Sequence, residues 1–223
     1  NKKLKFYLRK FSVFSGRLAW CYPFVGPRTI NRKHEDSEMP FGYYHQLNAK
    51  AKRIYRASDK VSDFLLPNVV VVRPVVRKIY EALQAGSHLR TQKWTQRLLN
   101  RLTSQLHIRP IRLELLDIRP SSPRMELYGL YYPAEGRRIP RMQLWMRTAK
   151  RHQVVAFRTF LRTLLHELCH HLDYDCLGLK DSFHTQGFYQ RESSLASQVL
   201  PLADVLIWVN GNKSKAGKRK RQV

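Results

Sequence analysis

Thr163-Leu164-Leu165-His166-Glu167-Leu168-Cys169-His170-His171-Leu172-Asp173 contains the pattern His166-Glu167-x-x-His170. Side chains four residues apart share one face of an α-helix, so two imidazoles at this spacing can reach a single metal ion. The reading depends on the segment being helical. Val154, Phe157, Leu161, Leu164, Leu165, Leu168 and Leu172 recur at three- and four-residue steps. Such an apolar stripe predicts a helix docked on a core, and Gly178 follows as a C-terminal cap. The histidines fall beside the stripe, facing a cleft, and zinc chemistry is the leading expectation.

A catalytic zinc site uses three protein ligands and keeps a fourth position for water. Two histidines therefore need a third partner, and the chain offers His184 or Glu192. His184 would complete an all-histidine site, whereas Glu192 would bring a carboxylate from a second helix. Glu167, one step around the helix from His166, has the position of a general base. His171 points about 100° away from His170 around the helix and is expected to lie outside the ligand set. Asp173, Asp175 and Asp181 are near enough in sequence to accept hydrogen bonds from the ligand rings. Tyr189 and Arg191 are candidates for stabilising an oxyanion, and Cys169 reads as a small buried residue.

Outside this segment the chain is strongly cationic. Of its 223 residues 43% are hydrophobic, enough for a substantial core, and the net charge is +25. Residues 1–146 carry 28 basic and 10 acidic side chains, residues 147–212 carry 7 and 6, and residues 213–223 carry 6 and none. A field of that kind attracts polyanions, and DNA is preferred to RNA as the expected partner. Three cysteines, Cys21, Cys169 and Cys176, exclude a disulfide framework and a Cys-x-x-Cys zinc ribbon. They suit a reducing intracellular setting, either cytoplasm or nucleoid or nucleus. No apolar run reaches the roughly 18 residues of a membrane span.

Residues 1–45 mix Lys and Arg with aromatic side chains and prolines and read as a basic aromatic arm. Residues 46–84 read as a basic helical extension. In it a helix carrying Lys50, Lys52, Arg53 and Arg56 runs from His45 to about Leu65, and a second begins at Pro74 and ends before Gly86. A third helix from about Thr91 to Leu106 sets Trp94, Leu98, Leu99, Leu102 and Leu106 on one side. Three extended segments follow at 111–118, 126–132 and 142–146, the last expected to be an edge strand beside the cleft. Residues 213–223 read as a disordered basic tail in which Lys218, Arg219, Lys220 and Arg221 bind nucleic acid.

Over residues 90–195 the chain resembles the SprT-like zinc metalloproteases, which include the bacterial SprT proteins and the eukaryotic DNA-dependent protease Spartan. The resemblance rests on the His166-Glu167-x-x-His170 helix, on His184 with Phe188 four residues later, and on Tyr128-Gly129-Leu130-Tyr131-Tyr132 followed by Arg141-Met142-Gln143-Leu144-Trp145. It implies that His166, His170 and His184 bind zinc, that Glu167 is the general base, and that protein is the substrate. Thr185 departs from the glycine that often follows the third histidine, and no downstream zinc module is recognisable. The expected fold is α+β: a zincin-like minimal metalloprotease domain at residues 85–212, with a small three-stranded sheet packed on the metal-binding helix and the basic extension before it. The rival expectation is a non-catalytic nucleic-acid or ribonucleoprotein binding protein that retains a zinc site.

Overall fold

The computed structural model describes residues 41–122 and 125–200. The chain divides into two compact units, 1–47 and 48–223. Within the described part of the first lies a short 3-10 helix, Gly42–Gln46. The arm at 1–40 and the tail at 213–223, with Lys218, Arg219, Lys220 and Arg221, fall outside the described residues.

Among its described residues the second unit is α+β, with five α-helices and a three-stranded mixed sheet. Helix α1, Ala49–Asp59, starts where the side chain of Asn48 accepts a hydrogen bond from the Ala51 amide at 2.9 Å. It ends six residues earlier than the expected Leu65, because carbonyl groups at its end serve another partner: those of Ser58 and Val61 accept hydrogen bonds from Arg191. Helix α2, Arg73–Gln84, has Pro74 in its first turn, where a missing amide hydrogen costs nothing. At its other end Gly86 adopts φ +62°. Its amide bonds to the Leu83 carbonyl at 2.9 Å and the Ser87 amide to that of Ala82 at 3.1 Å, a Schellman ending. Helix α3, His88–Gln105, buries Leu98, Leu99 and Leu102.

The sheet follows, with β1 (Arg112–Ile118), a two-stranded hairpin of β2 (Ser121–Ser122) and β3 (Met125–Glu126), then β4 (Gly129–Tyr132) and β5 (Arg141–Arg147). The expected continuous strand at 126–132 is thus split between the hairpin and the sheet. The three-stranded sheet has the order β1–β5–β4. β5 runs parallel to β1, with Leu113 opposite Met142, and antiparallel to β4, with Gly129 opposite Leu144. The segment 142–146 is therefore central and not an edge, a correction to its sequence reading. Its alternate residues Met142, Leu144 and Met146 are all buried, which is the signature of a strand covered by neighbours.

The outer edge of β1 is closed by side chains of α3. Gln96 accepts from the Leu113 amide at 2.7 Å and donates to the Ile111 carbonyl at 2.9 Å. Gln92 accepts from the Leu115 amide at 2.7 Å and donates to the Leu113 carbonyl at 3.0 Å. Two amide side chains thus supply the donors and acceptors that a fourth strand would offer.

Helix α4, Phe157–Asp175, crosses the sheet, and α5, Gln186–Val199, packs beside it. Phe157, Leu161, Leu164, Leu165, Leu168 and Leu172 are buried as the stripe requires. Val154 lies ahead of the helix, in a bridge to Arg147. Val75, Val76, Ile79 and Leu83 from α2 share one core with Leu98 and Leu102 from α3 and with the stripe of α4. Residues 48–84 accordingly belong to the same compact unit as the metal-motif helix. Among the described residues no helix is long and apolar enough to cross a membrane.

Candidate metal centre

His166 and His170 are one turn apart on α4 and project toward the start of α5. His184 arrives from the connecting loop, fixed in position because the next residue caps α5: the Thr185 hydroxyl accepts from the Phe188 amide at 3.0 Å. Thr185 is thus a helix cap. Phe188, fully buried, forms a floor whose ring centroid lies 5.0 Å from His166, 4.8 Å from His170 and 5.1 Å from His184. Tyr189 stacks on His184 at 5.8 Å with 22° between the planes.

The three rings converge on their Nε2 atoms. His184 Nε2 is 2.9 Å from that of His166 and 3.2 Å from that of His170. Tetrahedral coordination with metal–nitrogen bonds of 2.0–2.1 Å separates the nitrogens by about 3.3 Å, so the cluster is close to the size one ion requires. Hydrogen bonding alone does not account for it, since His184 Nε2 has at most one proton to give to two neighbours. His166, His170 and His184 lie close enough together to bind a metal ion.

Each α4 histidine has its other ring nitrogen engaged. Glu192 Oε2 lies 3.1 Å from His166 Nδ1, and Glu192 Oε1 lies 2.7 Å from Arg162 Nη2. Glu192 is therefore placed behind His166, and His184 is the residue that meets His166 and His170. Burial opposes a charge on His166, but the Glu192 hydrogen bond and the charges of Glu167 and Glu192 outweigh it and hold its pKa above the usual value. His170 and His184 are held low by burial and by neighbouring histidines, His184 to about 3, so both are neutral. His170 Nδ1 lies 2.7 Å from Ser182 Oγ, which donates to Asp173 Oδ2 at 2.6 Å.

Asp173 faces Arg191, whose Nη2 is 2.6 Å from Oδ1, and both side chains are wholly buried. Burial pushes the Asp173 carboxyl up to about 6, while Arg191, Ser182 and Ser58 pull it down, so it is ionised at neutral pH. Arg191 also donates to the Ser58 carbonyl at 2.6 Å and to Ser58 Oγ at 2.9 Å. These bonds take it out of contention as an oxyanion-stabilising group. The other acids are engaged elsewhere, Asp175 by Arg109 and Asp181 by the Ser182 amide at 3.0 Å.

His171 is buried, as its direction around the helix suggested for a non-ligand. Its Nε2–H donates to the Arg109 carbonyl at 2.8 Å and its Nδ1 accepts from Tyr131 Oη–H at 2.8 Å, while burial keeps it neutral. It ties α4 to β4. Cys169 is buried as expected. Ser182, Tyr131 and the Ser58 end of α1 were not anticipated, since serines and tyrosines at those distances carry no sequence signal.

Glu167 is buried against β4, where it occupies the space a side chain would take at Gly129. A Cβ there would be 2.6 Å from Glu167 Oε1 and 2.8 Å from Thr163 Cγ2. Burial raises the Glu167 carboxyl to about 7, against the lowering effect of His166. On α1, Lys50, Arg53 and Arg56 are exposed and Lys52 is half-buried. Exposed Arg90, Lys93 and Arg97 with half-buried Arg101 form a second cationic line along α3, in a stretch with no acidic residue between Glu81 and Glu114.

No family model, no curated protein and no solved structure matches this chain.

Proposed function

We propose that the protein is a zinc metallopeptidase of the SprT-like kind, intracellular, cleaving protein substrates and recruited to nucleic acid, DNA before RNA. The observation that carries this reading is the convergence of three Nε2 atoms beside a buried glutamate. Three imidazoles converging on their Nε2 atoms form a donor set suited to zinc. Among the described residues no fourth ligand joins them, whereas structural zinc sites fill all four positions with protein.

His166, His170 and His184 would hold the zinc, which would supply Lewis-acid polarisation of a peptide carbonyl and of the attacking water. Glu167 takes the proton of the attacking water on its carboxylate and returns it to the leaving amine nitrogen. Phe188 and the acceptors behind His166 and His170 hold the rings in place. β4, the outer strand beside Glu167, is where an extended substrate adds to the sheet, because β1 is sealed by Gln92 and Gln96.

The test combines elemental analysis with cleavage of an unfolded protein, with and without duplex DNA. Wild type should contain one zinc per chain and cut. Glu167→Gln should keep the zinc and lose activity by about 100-fold or more. Zinc with no cleavage under any condition would favour the non-catalytic nucleic-acid-binding reading, and absence of zinc would refute both.

A further inference from the structure

The Ser182 hydroxyl bridges His170 and Asp173, and its single proton decides what His170 can do. Asp173 is paired with Arg191 and is a carboxylate, so it only accepts. Ser182 Oγ–H therefore donates to Asp173 Oδ2 at 2.6 Å, and its oxygen must accept from His170 Nδ1 at 2.7 Å. That places the ring proton of neutral His170 on Nδ1 and leaves a lone pair on Nε2, the atom 3.2 Å from His184 Nε2. Neutral imidazole in water prefers the opposite tautomer, with Nε2 protonated. The ligand-competent form is imposed by the surroundings.

The order of charges is fixed from the far side. Ser58, at the end of α1, accepts from Arg191 through its carbonyl and its hydroxyl. The wholly buried guanidinium thereby faces Asp173 Oδ1. His166 differs, because Glu192 accepts from its Nδ1 directly. A carboxylate can only accept, whereas a hydroxyl can turn, so only the His170 arrangement needs a second group to orient it.

Resting on the zinc reading above, we propose that Ser182 and Asp173 are positioning residues that hold His170 in its Nδ1–H tautomer and so present an unprotonated Nε2 to the ion. Arg191 and Ser58 keep the carboxylate facing the hydroxyl.

The test uses the full chain as wild type, Ser182→Ala and Ser182→Thr. Zinc affinity is measured by chelator competition, and the histidine tautomers of the metal-free protein by long-range proton–nitrogen correlation of the imidazoles. Wild-type His170 should be protonated on Nδ1. Ser182→Ala should shift it to Nε2–H and weaken zinc binding by about 10–100-fold, and Ser182→Thr should restore both. Wild-type His170 protonated on Nε2 overturns the proposal, and that spectrum needs no folded variant. A Ser182→Ala protein with weakened zinc binding and an unchanged tautomer also overturns it, leaving Ser182 a purely structural role. Wild type that binds no zinc but shows the Nδ1–H tautomer would refute the metal reading and leave the tautomer assignment standing.

Discussion

Glu192 Oε2 lies 3.1 Å from Nδ1 of His166, on the opposite side of the ring from the nitrogen that meets His184. A carboxylate in that place orients a ligand without being one. Substituting His184→Ala is expected to remove zinc, and Glu192→Ala to weaken it by about 10–100-fold while leaving a metal-binding protein. Elemental analysis and chelator competition on the two variants distinguish them. If Glu192→Ala strips the metal and His184→Ala retains it, the ligand set is wrong.

Gly129 gives Glu167 its space. In Gly129→Ala the new methyl group would be 2.6 Å from Oε1 and 2.8 Å from Cγ of Glu167, so the carboxylate has to move. Peptidase activity should fall at least tenfold with zinc content unchanged, because none of the three histidines is touched. Activity equal to wild type would mean that Glu167 does not work from this position.

Gln92 and Gln96 should matter for stability and not for chemistry. Gln92→Leu or Gln96→Leu leaves one amide and one carbonyl of the β1 edge without a partner. Each variant is expected to lose about 1–3 kcal/mol, seen as a lower urea midpoint at constant slope. The exposed edge should also favour self-association, measurable by sedimentation. An unchanged midpoint would show that water replaces the glutamines at no cost.

Nucleic acid binding should be electrostatic and tolerant of sequence. Each neutralised phosphate adds about 0.9 to the log–log salt slope on duplex DNA. Changing Lys50, Lys52, Arg53 and Arg56 to Ala, or removing residues 213–223, should flatten that slope with no effect on zinc. A slope unaltered by both changes, or no binding at low salt, would assign the +25 charge to another partner.

The helix of the metal motif was legible because its stripe and its histidines follow the same period, and two independent signals agreed. The α+β class and four of the helices were accessible for the same reason, whereas Gln186–Val199 was not read as a helix. Strand order was not. Met142, Leu144 and Met146 show which residues of β5 face inward, but nothing in them states whether β1 or β4 lies alongside. The length of α1 was overestimated because its end is set by Arg191, a residue more than 130 positions away. Charge alone marked residues 46–84 as an appendage. Val75, Val76, Ile79 and Leu83 on α2 carried the contrary information, but hydrophobic periodicity does not say which core a stripe joins. The groups behind the ligands were invisible for a related reason: Ser182 differs from any other serine only through where the fold puts it.

The buried Arg191–Asp173 pair limits how the protein can be shortened. Its guanidinium is satisfied partly by Ser58 and Val61, so a fragment starting at residue 85 would keep His166, His170, His184 and Glu167 yet leave this cation without its carbonyl partners. Leaving hydrogen bonds of a buried polar group unmade costs about 1–3 kcal/mol, a sizeable share of the stability of a domain this size. Gly187 adds to the constraint, since it lies where a Cβ would meet the Asp59 carbonyl at 2.4 Å and its amide donates to the Asp59 side chain at 2.8 Å. Limited proteolysis should therefore stop before Ser58.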